Sequence, residues 1–446
     1  MSAGLFDGVL ARGRVRDAVS DHAWLQAMLD VEAALARASA EAGLISVEDA
    51  ETIAAACGAA HYDPARLGEQ AASSGNPAAP LVKALTSHVE GPAAGHVHSG
   101  ATSQDIVDSA AMLVAHRALG PLLEDLEGAA AAAARLAGEH RATVLPGRTL
   151  LQQAVPVTFG LKAAGWLVGL DEAIGRVAEV RAERLAVQLG GAAGTLASLS
   201  GRGVDVLSGM ARALGLAEPV LPWHTIRTRP AELAGALGEA CGVVAKIARD
   251  VALMAQTEVG EVAEGAAGGS STMPHKRNPV AAVSAAACAA QAPGLVATLL
   301  GSMAHEHERA VGSWHAEWRP LTELLRSAGS AAAWLHTCLE ELEVDADAMR
   351  ANLDLTHGLL LAERVSTELA PELGRLRAHE AVERAAAASA SVEGGFAAAL
   401  GDQPEIHGRT PEERLAELLD PAGYLGSADV LIDRALRAHD ARKERA

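Results

Sequence analysis

Apolar residues recur at alternating steps of three and four along most of this chain. Leu233, Leu237, Ala240, Val244, Ile247, Val251 and Met254 form one such stripe, with Glu232, Glu239, Lys246, Arg249 and Asp250 on the other faces. That pattern predicts an amphipathic helix from about Ala231 to Gln256. Leu25, Leu29, Val31 and Leu35 predict another over Trp24 to Leu44. Residues 46–92 read as shorter helices broken by Asn76, Pro77 and Pro80. Residues 105–142 contain no proline but Pro121, and 157–187, opened by Pro156, form a further long stretch. From Pro279 to about Met303 the chain is nearly uncharged, with QAPG as an internal break. A helix apolar on all sides must be buried on all sides, which suggests a bundle core shared between subunits. A last long helix is predicted from Arg319 to Leu342, and after Asp354 the helices shorten between Pro371, Pro404, Pro411 and Pro421.

Composition agrees with a mostly helical protein. Half of the 446 residues are hydrophobic but only 2% are aromatic, and alanine, the best helix former, carries much of the apolar count. The length favours two or three domains. The net charge of −19 argues against a nucleic-acid surface, which needs a basic face. Cys57, Cys241, Cys288 and Cys338 are scattered, so neither a disulfide framework nor a zinc site is suggested, and a reducing cytoplasm fits. The first residues lack the apolar core of a signal peptide, and no segment reads as a membrane span.

Against that acidic background residues 268–279, GGSSTMPHKRNP, stand out. Two glycines free the backbone, and His275, Lys276, Arg277 and Asn278 follow within a few residues. Asn278 is a good N-cap and Pro279 a good first helical residue, so a mobile loop should run into a helix N-terminus. Such an end attracts anions, and basic side chains sit beside it. A serine carried there, Ser270 or Ser271, could exchange a proton with a carboxylate substrate. Two other segments carry candidate chemistry. In 96–108, HVHSGATSQDIVD, a glycine-rich loop leads into a helix that should start near Asp105, with Thr102 or Ser103 as its cap. Residues 147–162 read GRTLLQQAVPVTFGLK.

These three segments resemble the signature segments of the fumarase/aspartase superfamily: GSSxMPxKxNP, HxGxTSxD and GRTHxQxAxPxTFG. The resemblance covers nearly the full chain. It implies an all-α fold with a small N-terminal helical domain (1–104), a long central five-helix bundle (105–353) carrying a catalytic loop at 265–279, and a small C-terminal helical domain (354–446). It also implies a homotetramer with a core of twenty helices and active sites shared between subunits. By the same resemblance Ser270, His98 and Lys276 are catalytic, and Thr102, Ser103, Gln104, Gln152, His275, Asn278 and Arg309 bind substrate. Arg227 is a further candidate for holding a carboxylate. No metal or organic cofactor is implied.

One departure bears on the reaction. Where the lyases of this superfamily place a proton-transferring histidine after Arg-Thr, this chain has Leu150, and a leucine cannot move a proton. Its absence counts against lyases that must protonate a departing amine. It counts less against lactonisation, where the nucleophile is the substrate's own carboxylate, already ionised at neutral pH. The stretches 188–199, 219–228 and 307–318 also look like those of bacterial 3-carboxymuconate cycloisomerases. The resemblance therefore implies a cytoplasmic intramolecular lyase closing 3-carboxy-cis,cis-muconate to 4-carboxymuconolactone in protocatechuate breakdown. The alternative is a succinyl-type lyase, adenylosuccinate-like or nitrosuccinate-like, releasing fumarate.

Overall fold

The computed structural model describes residues 4–265, 268–269, 273, 276–408 and 410–445. The fold is all-α, as the helical spacing predicts, with short two-stranded pairings as its only sheet among the described residues. Long helices span Asp21–Glu41, Ser103–Glu139, Phe159–Glu179, Thr228–Met254 and Ser313–Glu340. The uncharged stretch is helical over Val280–Ala289 and again over Ala292–Gly301, broken where QAPG predicts. The Ser313–Glu340 helix begins six residues before the expected start and takes Pro320 into its interior.

Two compact units divide the chain. One comprises Met1–Glu127, Glu172–Lys246 and Ser284–His336; the other comprises Gly128–Asp171, Ile247–Val283 and Thr337–Ala446. In the first, the Asp21–Glu41 helix packs against the Gly203–Leu214 helix. Leu25, Leu29 and Leu35 of the predicted stripe are each 2% exposed or less. Ser20 caps that helix by accepting the Ala23 N–H, the usual role of a serine at this position. In the second unit, Val365, Leu369, Val382, Phe396, Leu400 and Leu418 build a core for the C-terminal helices.

The hairpin of Val144–Thr149 and Gln152–Thr158 was not legible in the apolar pattern. Both strands contain a proline, Pro146 facing Pro156, and proline inside a run argues against a strand. By length and apolarity two helices would be able to cross a membrane, contrary to the sequence reading: Ser103–Glu139, 72% buried over its most apolar window, and Val280–Gly301, 39% buried. The first is a core helix. The second leaves Val280, Val283 and Leu300 between 39% and 55% exposed.

Candidate active site

In the first unit, the opening turns of the Ser103–Glu139 helix organise a buried polar cluster. Asp105, fully buried, accepts hydrogen bonds from the N–H groups of Thr102, Gly190 and Gly191, each at 2.9 Å, and lies 2.6 Å from His224 Nε2. The bond to Thr102 is half of a capping box, with an acid at the third helical position reaching back to the cap residue. Asp108, one turn on, accepts both Arg227 NH groups at 2.8 and 3.0 Å and Trp314 Nε1–H at 3.0 Å. Arg227 also donates to Glu317, from Nε at 3.0 Å and Nη2 at 2.5 Å. Burial drives the Glu317 pKa up, and the pairing with Arg227 only partly opposes it. Gly190 has to lack a side chain, because a Cβ there would lie 2.6 Å from His224 Cε1.

This cluster engages three of the expected ligands. Arg227 is 3% exposed and bridges two carboxylates, so it braces the core. Gln104 is 1% exposed; its amide N–H groups go to Asp108 and the His224 carbonyl, and its oxygen accepts from Arg309 at 2.8 Å. Arg309 Nη2 donates to the carbonyls of Gly191 and Ala192. Gln104 and Arg309 thus tie the 188–192 loop to the helix.

Thr102, Ser103 and His98 do face outward. All three are partly exposed, and neither hydroxyl is engaged by another described residue. His98 sits in the left-handed region, φ 60°, an uncommon conformation for a non-glycine residue. Its Nδ1 lies 2.7 Å from Oε1 of the buried Glu32. Burial lowers the imidazole pKa, but the hydrogen bond to Glu32 and the charges of Glu32 and Asp105 outweigh it, leaving the pKa raised. Gly100, φ +82°, turns the chain just after it, where a Cβ would lie 2.3 Å from Leu199 Cδ2. Nothing in the sequence singles out Glu32, because its partner is 66 residues away.

In the second unit, Arg148 makes a bidentate pair with the buried Glu261, at 2.9 and 2.6 Å, and so holds the hairpin just below its tip. The hairpin tip carries Leu150 and Leu151, 97% and 72% exposed, with φ of 50° and 63°. Gln152 follows, also exposed.

The glycine-rich segment of this unit is a second small hairpin. Gly268 pairs with Asn278 and Gly269 with Arg277. Lys276 is exposed. Ser270 and His275, the expected catalytic serine and substrate ligand, lie outside the described residues, as does Ser271. Asn278 is engaged in this pairing and is not the helix cap, since the helix begins at Val280. The expected anion site at that helix end is filled from within: Glu264 accepts the N–H groups of Ala281 and Ala282 at 2.9 and 2.7 Å. Glu264 is 5% exposed, so its carboxylate is screened from solvent there.

The comparisons agree with this architecture. A family described as "Lyase" matches residues 11–294, and "Adenylosuccinate lyase C-terminus" matches 358–435. The chain belongs to this lyase family, within the fumarase/aspartase superfamily. It is similar to the 3-carboxy-cis,cis-muconate cycloisomerase of Pseudomonas aeruginosa, 47% identical over 98% of this chain and 96% of the relative. The nitrosuccinate lyase of Streptomyces davaonensis is 46% identical over 99% of this chain and 96% of that protein. The crystal structure of the 3-carboxy-cis,cis-muconate lactonizing enzyme from Pseudomonas putida superposes with a TM-score of 0.93. It is 44% identical and covers 98% of this chain and 99% of that one.

Proposed function

We propose that this enzyme lactonises 3-carboxy-cis,cis-muconate to 4-carboxymuconolactone, in the breakdown of protocatechuate in the cytoplasm. The observation that carries the reading is full-length identity with cycloisomerases, 47% to the Pseudomonas aeruginosa protein. Leu150 supports it, because ring closure needs no protein base to activate the substrate carboxylate. Closure is also intramolecular, so the substrate supplies its own proximity.

In the proposed mechanism one carboxylate oxygen adds across the conjugated double bond. The displaced electron pair moves onto a neighbouring carboxylate as an aci-carboxylate, and Ser270 then hands a proton to the carbon. Lys276 and His98 stabilise the added charge. Thr102, Ser103, Gln152, His275 and Asn278 hold the remaining carboxylates. Preorganised donors of this kind supply most of the rate. Gln104 and Arg309 act by positioning, as their inward bonds indicate. The helix end capped by Glu264 takes no part.

The proposal includes a homotetramer with sites shared between subunits. Its support is the Val280–Gly301 helix, whose apolar surface is left largely open in a single chain. A second reading, a nitrosuccinate-type lyase, is favoured by the 46% identity to the Streptomyces davaonensis enzyme, and Leu150 suits it equally. An ultraviolet assay decides. Loss of the diene absorbance of 3-carboxy-cis,cis-muconate with wild type, and not with Ser270→Ala, is expected. Fumarate and nitrite from nitrosuccinate, with the diene untouched, would replace the proposal by the second reading.

A further inference from the structure

Glu32 is the least explained carboxylate of the first unit. It lies on the Asp21–Glu41 helix, 1% exposed, and its Oε2 has no hydrogen-bond partner. A carboxylate in that position is costly unless an opposite charge or several donors compensate it. Among the described residues its hydrogen-bond partner is the imidazole of His98, 2.7 Å away. His98 makes the contact from a left-handed backbone, φ 60°, which costs a non-glycine residue local strain.

Beside an ionised Glu32, Nδ1 carries the hydrogen of this bond, because an ionised carboxylate only accepts. The other nitrogen, Nε2, makes no bond to a described residue, and the side chain is 19% exposed. The imidazole is therefore anchored at one end and open at the other. Thr102 and Ser103, whose hydroxyls are also unengaged, follow four and five residues later in the same segment.

We propose that Glu32 is a positioning residue of the reaction: it keeps His98 protonated and turns Nε2–H outward, as a charged donor to the carboxylate that becomes the aci-carboxylate. This rests on the lactonising function proposed above. No proton leaves His98 in the step; the charged hydrogen bond strengthens as negative charge arrives. The charged groups that act on His98 are Glu32, in contact, and Asp105, through space.

The test is a pair of pH titrations on the full-length enzyme. Histidine ring signals are followed by NMR in wild type and Glu32→Gln, with His98→Asn to identify the His98 resonance. The His98 pKa should fall in Glu32→Gln, because the carboxylate that raises it is gone. The high-pH limb of lactonisation, where His98 loses its proton, should move down in step. Glu32→Asp should restore much of both, which separates a charge effect from loss of packing, and circular dichroism confirms that each variant is folded. An unchanged ring pKa would overturn the hold of Glu32 on His98. A lowered ring pKa with an unmoved rate limb would overturn the role of that charge in the reaction. Should wild type not consume 3-carboxy-cis,cis-muconate, the function fails on that ground alone, and the ring titration still decides the pairing.

Discussion

The carboxylate of Glu264 accepts the backbone N–H of Ala282 at 2.7 Å and closes the N-terminus of the helix that follows the glycine loop. A second oxygen takes the Ala281 N–H, and burial with the neighbouring Glu264 charge pushes the Cys338 thiol well above its usual range. A helix end with its free N–H groups already bonded to a carboxylate offers little to a second anion. Glu264→Ala should therefore destabilise the protein by about 0.5–2 kcal/mol, the usual cost of losing a cap. Urea unfolding measures it. If stability is unchanged while substrate binding tightens, the helix end belongs to the substrate after all.

Arg227 stands between two buried carboxylates, Asp108 and Glu317. Removing one member of a buried ion network typically costs about 3–5 kcal/mol, and Arg227→Met should lose stability on that scale at neutral pH. The sign with pH follows from Glu317, whose folded pKa is already raised by burial. Without Arg227 it rises further. The folded state then binds a proton that the unfolded state releases above its ordinary value near 4.5. The variant should accordingly regain stability as pH falls from 7 toward 5. Thermal denaturation across that range checks it, and a flat profile would mean the carboxylates find other partners.

What the sequence made legible, and what it hid, follows the range of each interaction. The stripe Leu233–Met254 and the QAPG break are local patterns, and the helices fall where they indicate. The residue types of the three segments were equally local. Their pairings were not. Glu32 meets His98 across 66 positions, and Gln104 meets Arg309 across 205. A glutamine at a substrate-binding motif and one locked in a core look alike until the partner is known. Asn278 illustrates a different limit: a good cap by type, it is diverted into a two-residue strand because Gly268 lies opposite.

Leu150 and Leu151 form the two-residue tip of their hairpin with both φ angles positive. That turn favours Asn-Gly, and a left-handed conformation costs an ordinary residue about 1–2 kcal/mol. Leu150→Asn with Leu151→Gly should raise the denaturation midpoint and lower lactonisation, because strained apolar residues at an exposed tip are retained for what they contact. If stability does not rise, contacts made by the leucines in the assembled protein already offset the strain. If activity does not fall, the tip has no part in the site.

Arg309 and Lys276 test the division between positioning and direct charge stabilisation. Arg309 is committed to Gln104 and to the carbonyls of Gly191 and Ala192. Arg309→Met leaves those acceptors unpaired, which should cost about 1–3 kcal/mol in stability. Its effect on turnover should scale with loop disorder and be partly recovered by lowering the temperature. Lys276 is exposed and in no ion pair among the described residues. Lys276→Met should leave the unfolding curve unchanged within about 0.5 kcal/mol. It should nonetheless lower kcat roughly a hundredfold to a thousandfold, as loss of one preorganised electrostatic group does. The opposite pattern, a folded and stable Arg309→Met with a raised KM and a Lys276→Met with normal kcat, would return Arg309 to the substrate and remove Lys276 from it. If the two positions act independently, their double mutant should be additive in stability while only the lysine change governs the chemical step.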